Sequence, residues 1–554
     1  MSNKLNNAGQ NILKRIKKSF FIFFILILAL IIRLSYLSIC KYEAYTSKIE
    51  NQSIQKLNLN SGRGIIYDRN NKPLTDTQKT QVICIPKSTI TGNYKNINLI
   101  KEASHLDEND IFKAVQKQIN SELIEIEVSN LEKKDIEKLN KINVIVEQKI
   151  NRYSSNNLLS HTIGYINQTD KNGVSGIEKS MNSELKNSNE KYISVFKAGD
   201  LGVKNGLKLV EGSISKVSNN DKNLKLTIDS NIQKKLEKIV DKEENPSAVV
   251  ISNIQTGEIL AMTSRPNFKQ NNIKESLNKN DGQLQNRVIS ATYPPGSVFK
   301  IAVLFAALEN KVITNSTYYY NCTGSEQIND KEKLNCNNLA GHGIQTLGEV
   351  FANSCNTAFY DIAKKVGKDE IYKAIKTLHL DQKVDLGLDE EVNSNIPNEI
   401  SLSNLSIGQG SLGITPIQIN QMTQIIANNG LYKPLYIYDS IINSDMKQIK
   451  ELTTSKEEEL ISPYTSTQIK QFMIGVAKTG TAKLLNDIDG GCGVKTGTAQ
   501  SSVNNKEVTH GWITGFYPVE NPKYAITVLI EGTEENSKSA IPMFKEICEN
   551  IKPW

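Results

Sequence analysis

Seven cysteines in 554 residues, none of them in a C-x-x-C pair, are too few and too scattered for a disulfide scaffold. No H-E-x-x-H occurs and no Cys/His ligand cluster is readable, so no metal and no cofactor is expected. Glycine-rich nucleotide fingerprints and fixed-period repeats are absent too, which removes ATP-driven and solenoid classes. Nor does one sign of charge dominate: 66 Lys and Arg face 59 Asp and Glu, giving a net charge of +7. These charges alternate along the chain instead of gathering into a basic stripe, the pattern of a solvated surface, so no nucleic-acid partner is expected. With 23% charged residues and a single long apolar run, the chain is not a polytopic membrane protein.

That one run sets the compartment. Phe20 to Ile32 is uninterrupted apolar sequence, and Leu34 to Ile39 prolongs it past Arg33. Together they approach the ~20 residues a spanning helix needs, and Arg33 can snorkel toward the interface. Lys14, Arg15, Lys17 and Lys18 precede the run and favour a cytoplasmic N-terminus. The expected organisation is a cytoplasmic tail over 1–18, a membrane helix over 19–39, and residues 40 to 554 outside. A cleaved signal peptide is the alternative; Arg33 and the lack of a clean small-x-small site speak against it.

Residues 40–225 read as one polar, irregular module, with a helical pattern over 101–150 carrying dense Glu/Lys alternation. A second module, 226–554, begins near Leu224 to Asp229 with a hairpin over Ser247 to Met262. Helical patterns follow at Val298 to Leu308 and Ile414 to Asn428. Strand-like runs at Gly493 to Ser501, Gly511 to Tyr517 and Tyr524 to Glu531 predict an antiparallel meander, and Ala540 to Ile551 a last helix. Strands at both ends with helices between imply one mixed α/β domain whose sheet joins both termini. Cys322 and Cys336 are spaced to close a loop, as a disulfide or as two free buried thiols.

Three short stretches carry chemistry. In Tyr293-Pro-Pro-Gly-Ser-Val-Phe-Lys300, Ser297 and Lys300 share one helical face at the first turn. The hydroxyl there meets unpaired N–H groups, and a desolvated neutral amine can accept its proton. Ser194/Lys197, Ser213/Lys216, Ser276/Lys279 and Ser444/Lys447 have the same spacing, but only Ser297 has the Pro-Pro-Gly lead-in and an apolar helix behind it. In Asn353-Ser-Cys-Asn, Ser354 offers a proton-relaying hydroxyl and Asn356 a carboxamide. In Gly493-Val-Lys-Thr-Gly-Thr498, Lys495 and Gly497 share one strand face, with Thr496 and Thr498 on the other. Gly497 is expected to let an extended peptide pair along the strand edge. Lys478-Thr-Gly-Thr481 repeats the tetrapeptide at what reads as a helix C-terminus and is set aside.

In this order these motifs resemble the class B penicillin-binding proteins, peptidoglycan D,D-transpeptidases, with Ser-Cys-Asn at the family's Ser-x-Asn. Arg63 to Arg69, Ser160 to Tyr165, Gly176-Ile-Glu178, Leu226 to Asp229, Thr256 to Ala261, Ile407-Gly-Gln-Gly410, Thr415-Pro-Ile-Gln418 and His510 to Phe516 extend the resemblance over nearly the whole chain. It implies a multidomain architecture: membrane helix, elongated α+β pedestal (40–225), and an α/β transpeptidase domain (226–554) with an antiparallel sheet flanked by helices. It also implies Ser297 as nucleophile, Lys300 as base, Ser354 as proton relay and Asn356 as amide holder. Lys495, Thr496 and Thr498 would bind a terminal carboxylate, with the N–H groups of Ser297 and Thr498 as oxyanion hole. Lys495 would also serve as a second cation keeping Lys300 neutral. The implied partners are peptidoglycan stem peptides, β-lactam antibiotics and a membrane glycan polymerase with other wall-synthesis proteins. A serine β-lactamase or sensor, a wall-complex member with a silent site, and a D,D-carboxypeptidase are the competing readings.

Overall fold

The computed structural model describes the chain apart from residues 1, 38–40, 42–53, 122, 187–190, 199–205, 210–213, 216–220, 280, 331, 454–455, 504–505, 534–539 and 553–554. It opens on a helix, Ser2–Ser35, of which Lys17–Ser35 is long and apolar enough to cross a membrane, with a mean hydropathy of 2.3. The last two residues of the expected span, 38 and 39, lie outside the described residues.

Two compact units follow from the packing: residues 1–59, 80–149 and 191–216 form one, and 60–79, 150–190 and 217–554 the other. The stretch read from sequence as 40–225 thus contributes to both. In the smaller unit a sheet runs in the order Leu123–Val128, Gln78–Pro86, Ile145–Asn151 over a core that includes Ile83, Ile85, Ile100, Ile124 and Leu139. The expectation of helix throughout 101–150 is therefore corrected. Helices occupy Glu108–Lys117 and Lys133–Asn140, but two of the three strands lie there as well. Leu-Ile-Glu-Ile-Glu-Val alternates with a period of two, which Glu/Lys density masks as helix. Ser194 and Lys197 fall within strand Lys191–Ala198, so that pair is not a helical Ser-x-x-Lys.

The larger unit is built on the predicted hairpin, β1 (Ser247–Asn253) and β2 (Ile259–Arg265), and the predicted meander, β3 (Gly493–Val503), β4 (Lys506–Tyr517) and β5 (Tyr524–Ile530). Its order is β2-β1-β5-β4-β3, all neighbours antiparallel, so the start and the end of the module meet in one sheet and β3 is left at the edge. Helices α1 (Lys300–Glu309) and α2 (Asn356–Val366) pack on one another, while α3 (Pro416–Ala427), α4 (Pro463–Lys478) and α5 (Ala540–Asn550) pack on the sheet. Thr415-Pro-Ile-Gln418 is the capping box that starts α3. That helix is buried along its whole length, and Asn420 and Thr423 satisfy their polar groups on Ser252, Ala525 and Thr514 of the sheet.

Two of the sequence landmarks far apart in the chain meet in a buried ion network. Arg63 Nε and Arg152 Nε each donate to Glu178 at 2.7 Å, and Arg152 Nη1 donates to Asp76 at 3.0 Å. Burial raises the Glu178 carboxyl, but the two guanidiniums outweigh it and hold it below the usual carboxylate range. Removing one member of such a network strands buried charge. Glu178→Ala is expected to lose about 3–5 kcal/mol of stability, read as a lower midpoint in denaturant unfolding of the purified chain. An unchanged midpoint contradicts this reading.

Candidate active site

Gly296–Phe299 forms one 3-10 turn that runs directly into α1. The turn is locked from three sides. Trp512 Nε1 on β4 donates to the Pro294 carbonyl at 3.0 Å, and Gly296 N donates to the Gly408 carbonyl at 2.8 Å. Gly296 has φ +54, and a Cβ there would lie 2.4 Å from the Thr498 carbonyl oxygen of β3. Only glycine permits both that backbone and that approach. Ser297 stands half-buried at the start of this segment, ahead of a helix whose residues Lys300 to Ala307 are all buried.

An apolar helix carries the Lys300 amine into the interior, where its side chain has no exposed surface. Its Nζ donates to the Ser354 carbonyl at 2.8 Å, to Ser354 Oγ at 3.3 Å and to Asn356 Oδ1 at 2.7 Å. Lys495, equally buried, donates to the same Ser354 Oγ at 2.9 Å and to the Thr496 carbonyl at 2.9 Å. One hydroxyl therefore bridges two amines from different motifs. Burial lowers the Lys300 amine to about 7. Burial, then the nearby charge of Lys300, pushes Lys495 well below its ordinary value. Burial is the main cause for both amines, and, sharing one hydroxyl, each disfavours a charge on the other.

A cleft of about 140 Å³ lies above these amines, lined by Ser297, Ser354, Asn356, Thr496, Gly497 and Thr498 among others. Six of the eight predicted residues thus reach its surface, and the two lysines sit beneath it. Gly497 lies at the cleft on the edge strand and has a second steric role there. A Cβ at Gly497 would lie 3.0 Å from the Pro295 carbonyl and 3.1 Å from Val298, so the missing side chain lets the strand approach its own 3-10 turn. Thr496 and Thr498, which alternate with Gly497 along β3, line the cleft as well.

Sequence reasoning missed Asn337, Ile407, Gln409 and Thr481, which line the same cleft. Gln409 belongs to the Ile407-Gly-Gln-Gly410 landmark and donates to the Thr498 carbonyl at 3.3 Å. Thr481 belongs to the tetrapeptide set aside as a decoy. Lys478 is indeed the last residue of α4, but the chain turns back so that Thr481 Oγ1 meets Thr496 Oγ1 at 2.6 Å. The larger cavity, about 980 Å³ around His379, Asp385, Gln421 and Tyr436, shares no residue with this site.

The expectation that no Cys/His ligand cluster exists is overturned. Cys322, Cys336, His342 and Cys355 bring their donor atoms within 4.8 Å of one another. The described cysteines are all free thiols, so Cys322 and Cys336 are not disulfide-bonded. Short-spacing motifs could not reveal the group, because its members come from four loop or strand ends. A readable signal remained: three of seven cysteines and one of five histidines fall between 322 and 355.

Comparison with known proteins places these features in a wider set. Residues 247–549 match the penicillin-binding protein transpeptidase domain, and 58–213 the penicillin-binding protein dimerisation domain. Stage V sporulation protein D of Bacillus subtilis is 29% identical, the match covering 94% of this chain and 82% of that protein. The peptidoglycan D,D-transpeptidase FtsI of Buchnera aphidicola (Baizongia pistaciae) is 27% identical over 89% of this chain and 88% of its own. The solved penicillin-binding protein PBP2 of Helicobacter pylori has the same fold, with a TM-score of 0.65, 24% identity, and coverage of 89% of this chain and 98% of that one.

The depressed Lys300 amine fixes a pH dependence. The amine is neutral above about 7 and protonated below it, and if it serves as the base for Ser297, only the neutral form can take the proton. Labelling by fluorescent penicillin is therefore expected to level off above that pH and to fall about tenfold per unit below it. A profile that breaks only near the ordinary lysine range contradicts this account.

Proposed function

The chain belongs to the class B penicillin-binding proteins, and on that premise we propose that it is a peptidoglycan D,D-transpeptidase that cross-links stem peptides through a serine acyl-enzyme at Ser297. The observation that carries the assignment of residues is the two-amine cluster: Lys300 and Lys495 on one Ser354 hydroxyl, beneath the cleft that Ser297 lines.

Neutral Lys300 takes the Ser297 proton as Oγ attacks the carbonyl of the penultimate D-Ala. The tetrahedral oxyanion is held by the N–H groups of Ser297 and Thr498, where losing one donor typically costs ~10²–10³ in rate. Ser354, in contact with both amines, relays the proton to the departing amine of the terminal D-Ala, and the acyl-enzyme remains. An amine of a second stem peptide then attacks the ester, its proton returns through the same relay to Ser297, and a new peptide bond replaces the old one. The balance of one amide broken and one formed explains why no nucleotide site is needed. Thr496 and Thr498 bind the donor carboxylate, with Lys495 acting from below through Ser354. Asn356 holds a donor amide while its Oδ1 orients Lys300. A β-lactam enters as a donor mimic whose ring opens on Ser297, and its leaving group stays tethered, so deacylation is slow.

Residues 40–225 serve as the non-catalytic pedestal and 226–554 as the transpeptidase domain. The N-terminal helix anchors the chain in the cell membrane with the basic tail 1–18 in the cytoplasm and the cleft outside, near new wall strands. Glycan chains come from a membrane polymerase that contacts the helix and the pedestal. The Helicobacter pylori PBP2 that shares this fold has also been solved in a complex with MreC, which supports wall-synthesis proteins as partners.

Ser297→Ala is expected to abolish covalent penicillin labelling and to lower cross-linking of nascent glycan by at least about 10³-fold, with the fold kept. Cross-links formed at the wild-type rate by that variant would refute the assignment. Steady hydrolysis of a chromogenic cephalosporin by the wild type would favour a β-lactamase instead.

A further inference from the structure

We propose that Cys322, Cys336, His342 and Cys355 bind one zinc ion in a closed structural site that fixes the Ser354–Asn356 loop under the cleft. The donor set and its geometry carry the inference. Zn–S bonds of about 2.3 Å and Zn–N bonds of about 2.0–2.1 Å at tetrahedral angles put sulfurs about 3.8 Å apart and sulfur and nitrogen about 3.5 Å apart. Cys336 Sγ lies 3.7 Å from Cys355 Sγ and 3.6 Å from His342 Nδ1. A disulfide would need about 2.05 Å, so the sulfurs stand at the edge length of a metal tetrahedron. All four donors lie within 4.8 Å of one another, and the three cysteines are buried.

The ligands arrive on fixed backbone. Cys322 ends strand Tyr319–Cys322 and is in register with Gly343, the residue after His342. Cys336 N donates to the Gly324 carbonyl at 2.9 Å, and Cys355 is the N-cap of α2. Around the thiols, the buried Thr357 hydroxyl donates to Cys322 Sγ at 3.4 Å and lies 3.4 Å from Cys355 Sγ. A hydroxyl at that position supports a thiolate, as outer-shell donors do in zinc sites. Binding releases the three thiol protons to solvent and leaves the imidazole neutral, with Nδ1 on the metal. Three sulfurs and one nitrogen in a tetrahedral set suit zinc, and four protein ligands leave no open position for chemistry.

The location gives the ion its role. Cys355 is the middle residue of Ser354-Cys-Asn356, whose outer members cradle Lys300. Ser354 has φ +55, a left-handed conformation uncommon for a residue other than glycine. On either side of Cys336, Asn356 Nδ2 donates to the Asn335 carbonyl and Asn337 Nδ2 to the Asn353 carbonyl, each at 3.1 Å. The ion would tie loops 335–337 and 353–356 together through Cys336 and Cys355. It is a positioning device for the amine cradle and touches no reacting atom.

The full chain, purified in detergent under reducing conditions without chelator, is expected to carry one zinc per molecule by plasma mass spectrometry. Exchange into cobalt should give the sulfur-to-metal charge-transfer and visible ligand-field bands of a tetrahedral thiolate site. Cys336→Ser and His342→Ala should each retain zinc at least about tenfold less well against a competing chelator, and should label more slowly with fluorescent penicillin. Because metal content and the cobalt spectrum are read on the wild type, a variant that misfolds leaves the test intact. They are also read without reference to catalysis, so this site can fail while the transpeptidase reading stands, and the reverse. Wild-type protein that takes up neither zinc nor cobalt, with its buried thiols titrating freely after mild opening, would overturn the proposal.

Discussion

Two lysine amines are removed from water and set against one serine hydroxyl, and most of the larger unit can be read as the means of keeping them there. An isolated ammonium loses several kcal/mol of hydration on burial and sheds its proton instead. Lys300 does this: burial brings its amine to about 7. Its polar neighbours are a backbone carbonyl, a hydroxyl and a carboxamide oxygen. None is a carboxylate that would restore the charge. Replacing Asn356 Oδ1 by a carboxylate would stabilise the ammonium and remove the base, which is a physical reason for Asn at that position.

Close backbone approach supplies the rest of the geometry. The 3-10 turn carrying Ser297 is squeezed between the edge strand β3 and the Ile407–Gly410 segment, and each contact is made at a glycine. A Cβ on Gly408 would sit 2.3 Å from the Gly296 carbonyl oxygen, and one on Gly296 2.4 Å from that of Thr498. Trp512, fully buried, closes the back of the turn through Pro294. The side chains that define the cleft are thus placed by backbone-to-backbone fits, which are stiffer than loops and suited to holding a nucleophile over a base.

Much of this was legible from residues alone. The meander and the hairpin follow from periodicity and local chemistry, and the three motifs converge because a sheet joining both ends of the module brings Lys495 to the Ser354 hydroxyl that Lys300 also meets. What was not legible depends on three-dimensional returns of the chain. Thr481 looks like a helix end until the backbone doubles back to Thr496. The edge strand Leu123–Val128 hid in a charge-rich stretch read as helix. The fit of Gly497 against the 3-10 turn was hidden because strand alternation fixes which face it shares, though not what lies against that face. The Cys/His cluster escaped because its ligands are separated by 13, 5 and 12 residues, spacings that no short motif describes.

The account stands on the charge state of one side chain, and that can be measured without following any reaction. In the full chain labelled with 13Cε-lysine, one resonance absent from Lys300→Arg should titrate with a midpoint at about 7, while exposed lysines titrate near about 10.4. If the resonance lost in Lys300→Arg instead titrates with the exposed lysines, the amine is a cation at neutral pH and cannot be the base that activates Ser297.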